Sequence, residues 1–197
     1  SFGHQTFKKK EEEALCLKTD SFVVETNAHF PTDYNLLWDS ARKCLDMIGL
    51  LEKNQKINLP GWRKRKSWYR DLKNKMRAVG KASSGGGKNK KERLIKAVEE
   101  YLDKAKLLMT KLEDDKGNLP QLNVKNTLIV ADLEKYMELL KKHIDLLERR
   151  ILKGEQIPHG DKIFSIFEQY TEWVSKGKKR PSVELGKKVS ITTDQYN

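Results

Sequence analysis

The chain has 197 residues, 37% of them apolar and 35% charged, with a net charge of +12. That is enough apolar material for one sizeable domain or two small ones, and no run of about 18 apolar residues offers a membrane span. The charge bears on partners, such as nucleic acid or an anionic surface, and not on fold.

The opening run SFGHQTFKKKEEE lacks the apolar stretch of a signal peptide, and KKKEEE reads as solvated surface. Cys16 and Cys44 make no ligand or redox spacing. A reduced, intracellular protein with buried free thiols is expected, a disulfide between the two being left open.

From Ala14 to Glu25, ALCLKTDSFVVE, apolar residues occupy both parities: Leu15, Leu17 and Val23 on one, Cys16, Phe22 and Val24 on the other. The pattern predicts a central strand covered on both faces. Asp20 then stands in the middle of a buried strand, where aspartate is disfavoured and an ionised carboxylate needs a hydrogen bond, an ion pair or a cation.

Thr32 and Asp33 carry N-cap chemistry ahead of Leu36, Leu37, Ala41, Cys44, Leu45, Ile48 and Leu51 at helical spacing, predicting a helix over 34–53. After Pro60 and Gly61, a helix from about Trp62 aligns Tyr69, Leu72, Met76 and Val79. KASSGGGKNK is read as a mobile loop. A third helix over 90–114 and a fourth over 126–153 carry apolar stripes and are joined by the breaker run DDKGNLP, so they are expected to pack antiparallel. Past Gly154 the period shortens, and IFSIFEQY (163–170) and VELGKKVSIT (183–192) read as strands, with TTDQYN opening a hairpin turn.

The charge is concentrated. Residues 62–96 hold fourteen Lys and Arg against two acids, Asp71 and Glu92, an excess equal to the net charge of the whole chain. A merely soluble helix interleaves opposite signs; this segment does not. Arg63, Lys64, Arg65, Lys66, Arg70, Lys73, Lys75, Arg77, Lys88, Lys90, Lys91 and Arg93 are therefore candidates for binding nucleic-acid phosphates, with counterion release as the driving force. Trp62, Trp68 and Tyr69 lie among them; the helical spacing of Tyr69 with Leu72 and Met76 favours a core role over base stacking.

Other chemistry is thin. His4, His29, His143 and His159 share no metal-ligand spacing with one another or with the cysteines. GGGK at 85–88 lacks the spacing and the preceding strand of a phosphate-binding loop. No small-molecule substrate is implied.

KTDSFVVETNAHFPTDYNLLWDSARK at 18–43 resembles the segment around the first catalytic aspartate of DDE transposases from bacterial insertion sequences. DKIFSIFEQYTEWVSKGKKRPSVELGKKVSITTDQYN at 161–197 is similar to the strand pair that follows in the same enzymes. The two matches cover about 60 residues, in the family's order. The resemblance implies an α+β, mostly helical chain: a partial RNase H-like sheet interrupted by a large antiparallel helical insertion. Residues 1–33 would hold the first strand of the catalytic core, 34–155 the insertion with the basic segment 62–96, and 156–197 further strands of a truncated core.

It also implies Asp20 as the first catalytic, metal-binding carboxylate for Mg²⁺ or Mn²⁺, DNA (transposon ends and target) as partner, and a cytoplasmic, nucleoid-associated location in a bacterium, with a homo-oligomer left open. The family's second Asp and its Glu lie downstream, and Asp194, Glu168 and Glu184 are not accepted in their place. The chain thus reads as the middle of a transposase, expected to be inactive alone. The alternative is a non-enzymatic basic helical module binding DNA or RNA. A pure oligomerisation domain would need a wider apolar stripe than these helices carry.

Overall fold

Thr32 sets the first helix. Its extended backbone and side-chain oxygen, which accepts from the Asn35 N–H at 3.4 Å, start α1 at Asp33, and the helix runs to Gln55. The computed structural model describes residues 16–26, 28–56, 58–119, 123–177 and 182–193. It is mostly helical with a small antiparallel sheet, an α+β chain, and it divides into two units. One is Phe30–Phe167; the other is built from the flanks, Ser1–His29 and Glu168–Asn197.

In the helical unit α1 is followed by α2 (Arg65–Ser84), α3 (Lys90–Asp115) and α4 (Val124–Leu147). Ion pairs and polar contacts show how they are laid together. Lys75 meets Glu100 and Asp71 meets Lys104, an antiparallel register for α2 and α3. Asp33 meets Arg150 just past α4, and Asn54 meets Asn126, an antiparallel register for α1 and α4. Lys106 to Glu148 and Lys116 to Glu134 do the same for α3 and α4. One core runs through all four helices, with Leu37, Ile48, Leu72, Tyr101, Leu108 and Leu140 fully buried. Each such side chain contributes roughly 1.5–3 kcal/mol on leaving water.

The helical periods read correctly, but two details differ. Lys81–Ser84 continue α2 instead of opening the loop, because the glycines begin only at Gly85; the connection is Gly85–Asn89. The principal packing is α1 on α4 and α2 on α3, with the α3–α4 contact a smaller one. The last turn of the α4 stretch, Glu148–Leu152, widens into π geometry.

The sheet unit has β1 (Lys18–Glu25), β2 (Glu172–Ser175) and β3 (Val183–Thr193), ordered β1-β3-β2 and antiparallel throughout. Asp20 pairs with Ile191, Phe22 with Val189 and Val24 with Lys187. Opposed residues share a face, so Asp20, Phe22, Val24, Val189 and Ile191 lie on one side. Thr19 and Thr192 share a 2.9 Å hydroxyl contact on the other.

The expected central, doubly covered strand is corrected here. Among the described residues β1 lies at the edge of the sheet, and Phe22, Val24 and Ile191 are 44–50% exposed. Ala14 and Leu15 lie outside the described residues, while Cys16 and Leu17 precede the strand and are exposed. Within β1 itself the apolar residues lie mainly on one face, Phe22 and Val24 against Val23 alone on the other, and the described Cys16 and Leu17 that filled out the two parities are not in the ladder. Cys16 is thus an exposed thiol, not a buried one; Cys44 is buried, and burial pushes its thiol pKa up.

The expected strand over 163–170 is also corrected. Ser165 Oγ accepts from the Phe167 N–H at 3.3 Å, and the Glu168 carbonyl accepts from both the N–H and the hydroxyl of Thr171. These local bonds compete with a ladder. Ile166 packs with Leu36 and Leu139, and the strand forms later, at β2. The predicted turn with Asp194 lies outside the described residues.

Candidate nucleic-acid interface and the setting of Asp20

On α2 the cations Lys66, Arg70, Lys73, Arg77 and Lys81 are spaced four, three, four and four residues apart. At about 100° per residue they fall within an arc of roughly 80° and extend over roughly 22 Å of helix. Lys66, Arg70, Arg77 and Lys81 are exposed and Lys73 is half-buried. The one acid of α2, Asp71, sits outside this arc and is held by Lys104 at 3.4 Å. Among the described residues none of the five cations makes an ion pair within 4.0 Å.

Arg63 and Lys64 continue the charge before the helix, and Lys88, Lys90 and Lys91 continue it beyond Gly85 into the first turn of α3; all five are exposed. Cations at a helix N-terminus add to its positive dipole end, an arrangement that costs stability unless an anion is near.

Three of the expected contacts are engaged elsewhere. Arg65 pairs with Glu52 at 2.9 Å, Lys75 pairs with Glu100 at 3.2 Å, and Arg93 donates to the Gly86 carbonyl. Lys81, part of the charge excess of 62–96 but not among the candidates named from sequence, closes the stripe; its four-residue spacing from Arg77 is the signal for it.

The aromatic residues of the segment belong to the core. Trp62 is 2% exposed, Trp68 is covered by Lys104 at 4.0 Å from its ring centre, and Tyr69 meets Trp38 edge-on at 4.7 Å. No wide aromatic platform remains on the cationic face, which therefore presents charge to phosphates and little surface for stacking along a strand.

Asp20 is exposed, and its Oδ1 accepts from the Ser21 N–H at 2.8 Å. Edge position and solvent remove the burial cost that made a cation necessary. Among the described residues no three His, Cys, Asp or Glu side chains gather as a metal-binding group. A single carboxylate does not make a Mg²⁺ or Mn²⁺ site, and the residues described do not by themselves fit one. Glu184 on β3 pairs with Lys176. No described helix is long and apolar enough to cross a membrane. Comparisons with family models, curated proteins and solved structures give no match to this chain.

Proposed function

We propose that the helical unit binds the phosphate backbone of nucleic acid, DNA in the first instance, through Lys66, Arg70, Lys73, Arg77 and Lys81. One observation carries this: five cations with no carboxylate partner among the described residues share one face of one helix. Backbone binding of this kind is sequence-independent and strongly salt-linked.

The same proposal places the chain as part of a DDE transposase, with Asp20 as the first of its carboxylates. In support stand the residue patterns at 18–43 and 161–197, and the pairing of the Asp20 strand with β3 over eight residue pairs. A second reading, a binding module without catalysis, is favoured by the exposed setting of Asp20, around which no metal-binding group gathers among the described residues. Both readings share the cationic face.

Electrophoretic or anisotropy titration of duplex DNA at several salt concentrations tests the binding. A slope of log affinity on log salt of about −4.5 is expected for five phosphate contacts, and Arg70→Ala with Arg77→Ala should flatten it by about two. Binding that ignores salt, or a double variant that binds like the parent, removes the proposal. For the transposase reading, the chain alone should not cleave duplex DNA with Mg²⁺ or Mn²⁺. Cleavage abolished by Asp20→Asn would show that the catalytic set is more complete than proposed.

A further inference from the structure

A groove of about 610 Å³ opens between α1 and the first turns of α2. Its floor is apolar: Leu45 and Met47 are buried, Leu50 is 41% exposed, and the half-buried ring of Tyr69 is held by Trp38. Of the cations on its rim, Arg65 is paired with Glu52 and the Lys43 ammonium lies 5.3 Å from the centre of the Phe167 ring, while Lys66 has no ion-pair partner among the described residues; the one acid there, Asp46, is paired with Arg42 at 3.3 Å. On the α1 side it spans Lys43 to Leu50, roughly 10 Å, and on the α2 side Arg65 to Tyr69, roughly 6 Å. Those dimensions suit one flat ring with its sugar better than a length of helix, and the volume lies within the usual range for a small ligand, roughly 300–1,000 Å³.

Position supplies the occupant. Lys66 lines the groove and is also the first cation of the α2 stripe. An anionic strand laid along the stripe therefore reaches the groove at one end. We infer that the groove takes the base of an unpaired nucleotide at the end of a nucleic-acid strand, its ring on Leu50 and Tyr69 and its phosphate on Lys66. The inference rests on the proposed phosphate binding by α2 and adds a site that this binding does not require.

The test compares, on the whole chain, a blunt duplex, the same duplex with a short single-stranded overhang, and the same overhang made abasic. Each is titrated by anisotropy, and 2-aminopurine in the overhang reports stacking. The overhang should tighten binding by roughly fivefold or more, the value of one stacked base. The abasic overhang should lose that gain, and 2-aminopurine emission should be quenched on binding. Leu50→Asp, at an exposed position, should abolish the gain while blunt-duplex affinity and the helical circular dichroism stay as in the parent.

Equal affinity for blunt and overhung duplexes, or a gain that persists without bases, overturns the inference and leaves the duplex proposal standing. An acidic amphipathic peptide that binds with the same dependence on Leu50 while overhang bases add nothing assigns the groove to a protein partner and overturns it too. If no probe binds, both proposals fall.

Discussion

The guanidinium of Arg65 lies over the backbone of Gly49, where a side chain of any size would overlap it, and reaches Glu52 Oε2 at 2.9 Å. Gly49 stands within α1, a position where glycine costs about 1 kcal/mol relative to alanine. Its missing Cβ is what lets a cation from the start of α2 lie flat on α1. Gly49→Ala should move Arg65 off Glu52 and trade the ion pair for helix propensity, leaving overall stability nearly unchanged. The coupling is the sensitive readout. In a double-mutant cycle, Glu52→Gln with Arg65→Gln should show about 1 kcal/mol of interaction in the parent and roughly none in the Gly49→Ala background.

Gly186 is the opposite case. It is buried in β3 between Glu25 of β1 and Glu172 of β2, and a Cβ there would overlap the Val24 carbonyl and lie 2.8 Å from Val23 Cγ1. Backbone cannot swing aside as an arginine tip can. Gly186→Ala should destabilise the sheet by about 1–3 kcal/mol. Hydrogen exchange of the Thr26 amide, which donates to the Leu185 carbonyl at 3.0 Å, should quicken accordingly, while amides of α1 keep their protection.

His143 is fully buried in α4 with neither ring nitrogen hydrogen-bonded among the described residues, and burial, aided by Lys142, lowers its pKa from 6.5 to about 4. The folded state holds it neutral, so its contribution is complete above pH 6.5 and is lost as pH falls through 4. Between these limits the loss approaches about 3 kcal/mol. His143→Leu should be at least as stable as the parent at pH 7 and should lose less stability between pH 6.5 and 4, as urea titrations of the two proteins at matched pH will show.

Tyr101 is buried, and its hydroxyl donates to the Tyr34 carbonyl at 3.1 Å, tying α3 to the first turn of α1. Tyr101→Phe should cost about 1 kcal/mol, read as a lowered denaturation midpoint with an unchanged urea slope.

Asp20 faces solvent, and an amide oxygen can replace Oδ1 as acceptor for Ser21 N–H. Asp20→Asn should therefore alter stability by less than about 0.5 kcal/mol. A larger change would mean that the carboxylate has a structural partner.

Much of the helical unit was legible in the sequence, because a 3.6-residue period states which side of a helix is apolar. Leu37, Ala41, Cys44 and Ile48 declare that side for α1, and Thr32 declares its start. The concentration of cations in 62–96 was equally plain, since charge is carried by residue type. What a period cannot state is the neighbour. Lys66, Arg70, Lys73, Arg77 and Lys81 form one face because α2 runs unbroken to Ser84, and Arg65, Lys75 and Arg93 are drawn away from that role because Glu52, Glu100 and the Gly86 carbonyl fold against them.

The strands show the same division. That β1 would be extended followed from its composition; that it would lie at an edge, with Asp20 in solvent, was decided by β3 taking the middle of the sheet. A strand's side chains alternate whichever place it occupies, so alternation records two faces without recording what covers them.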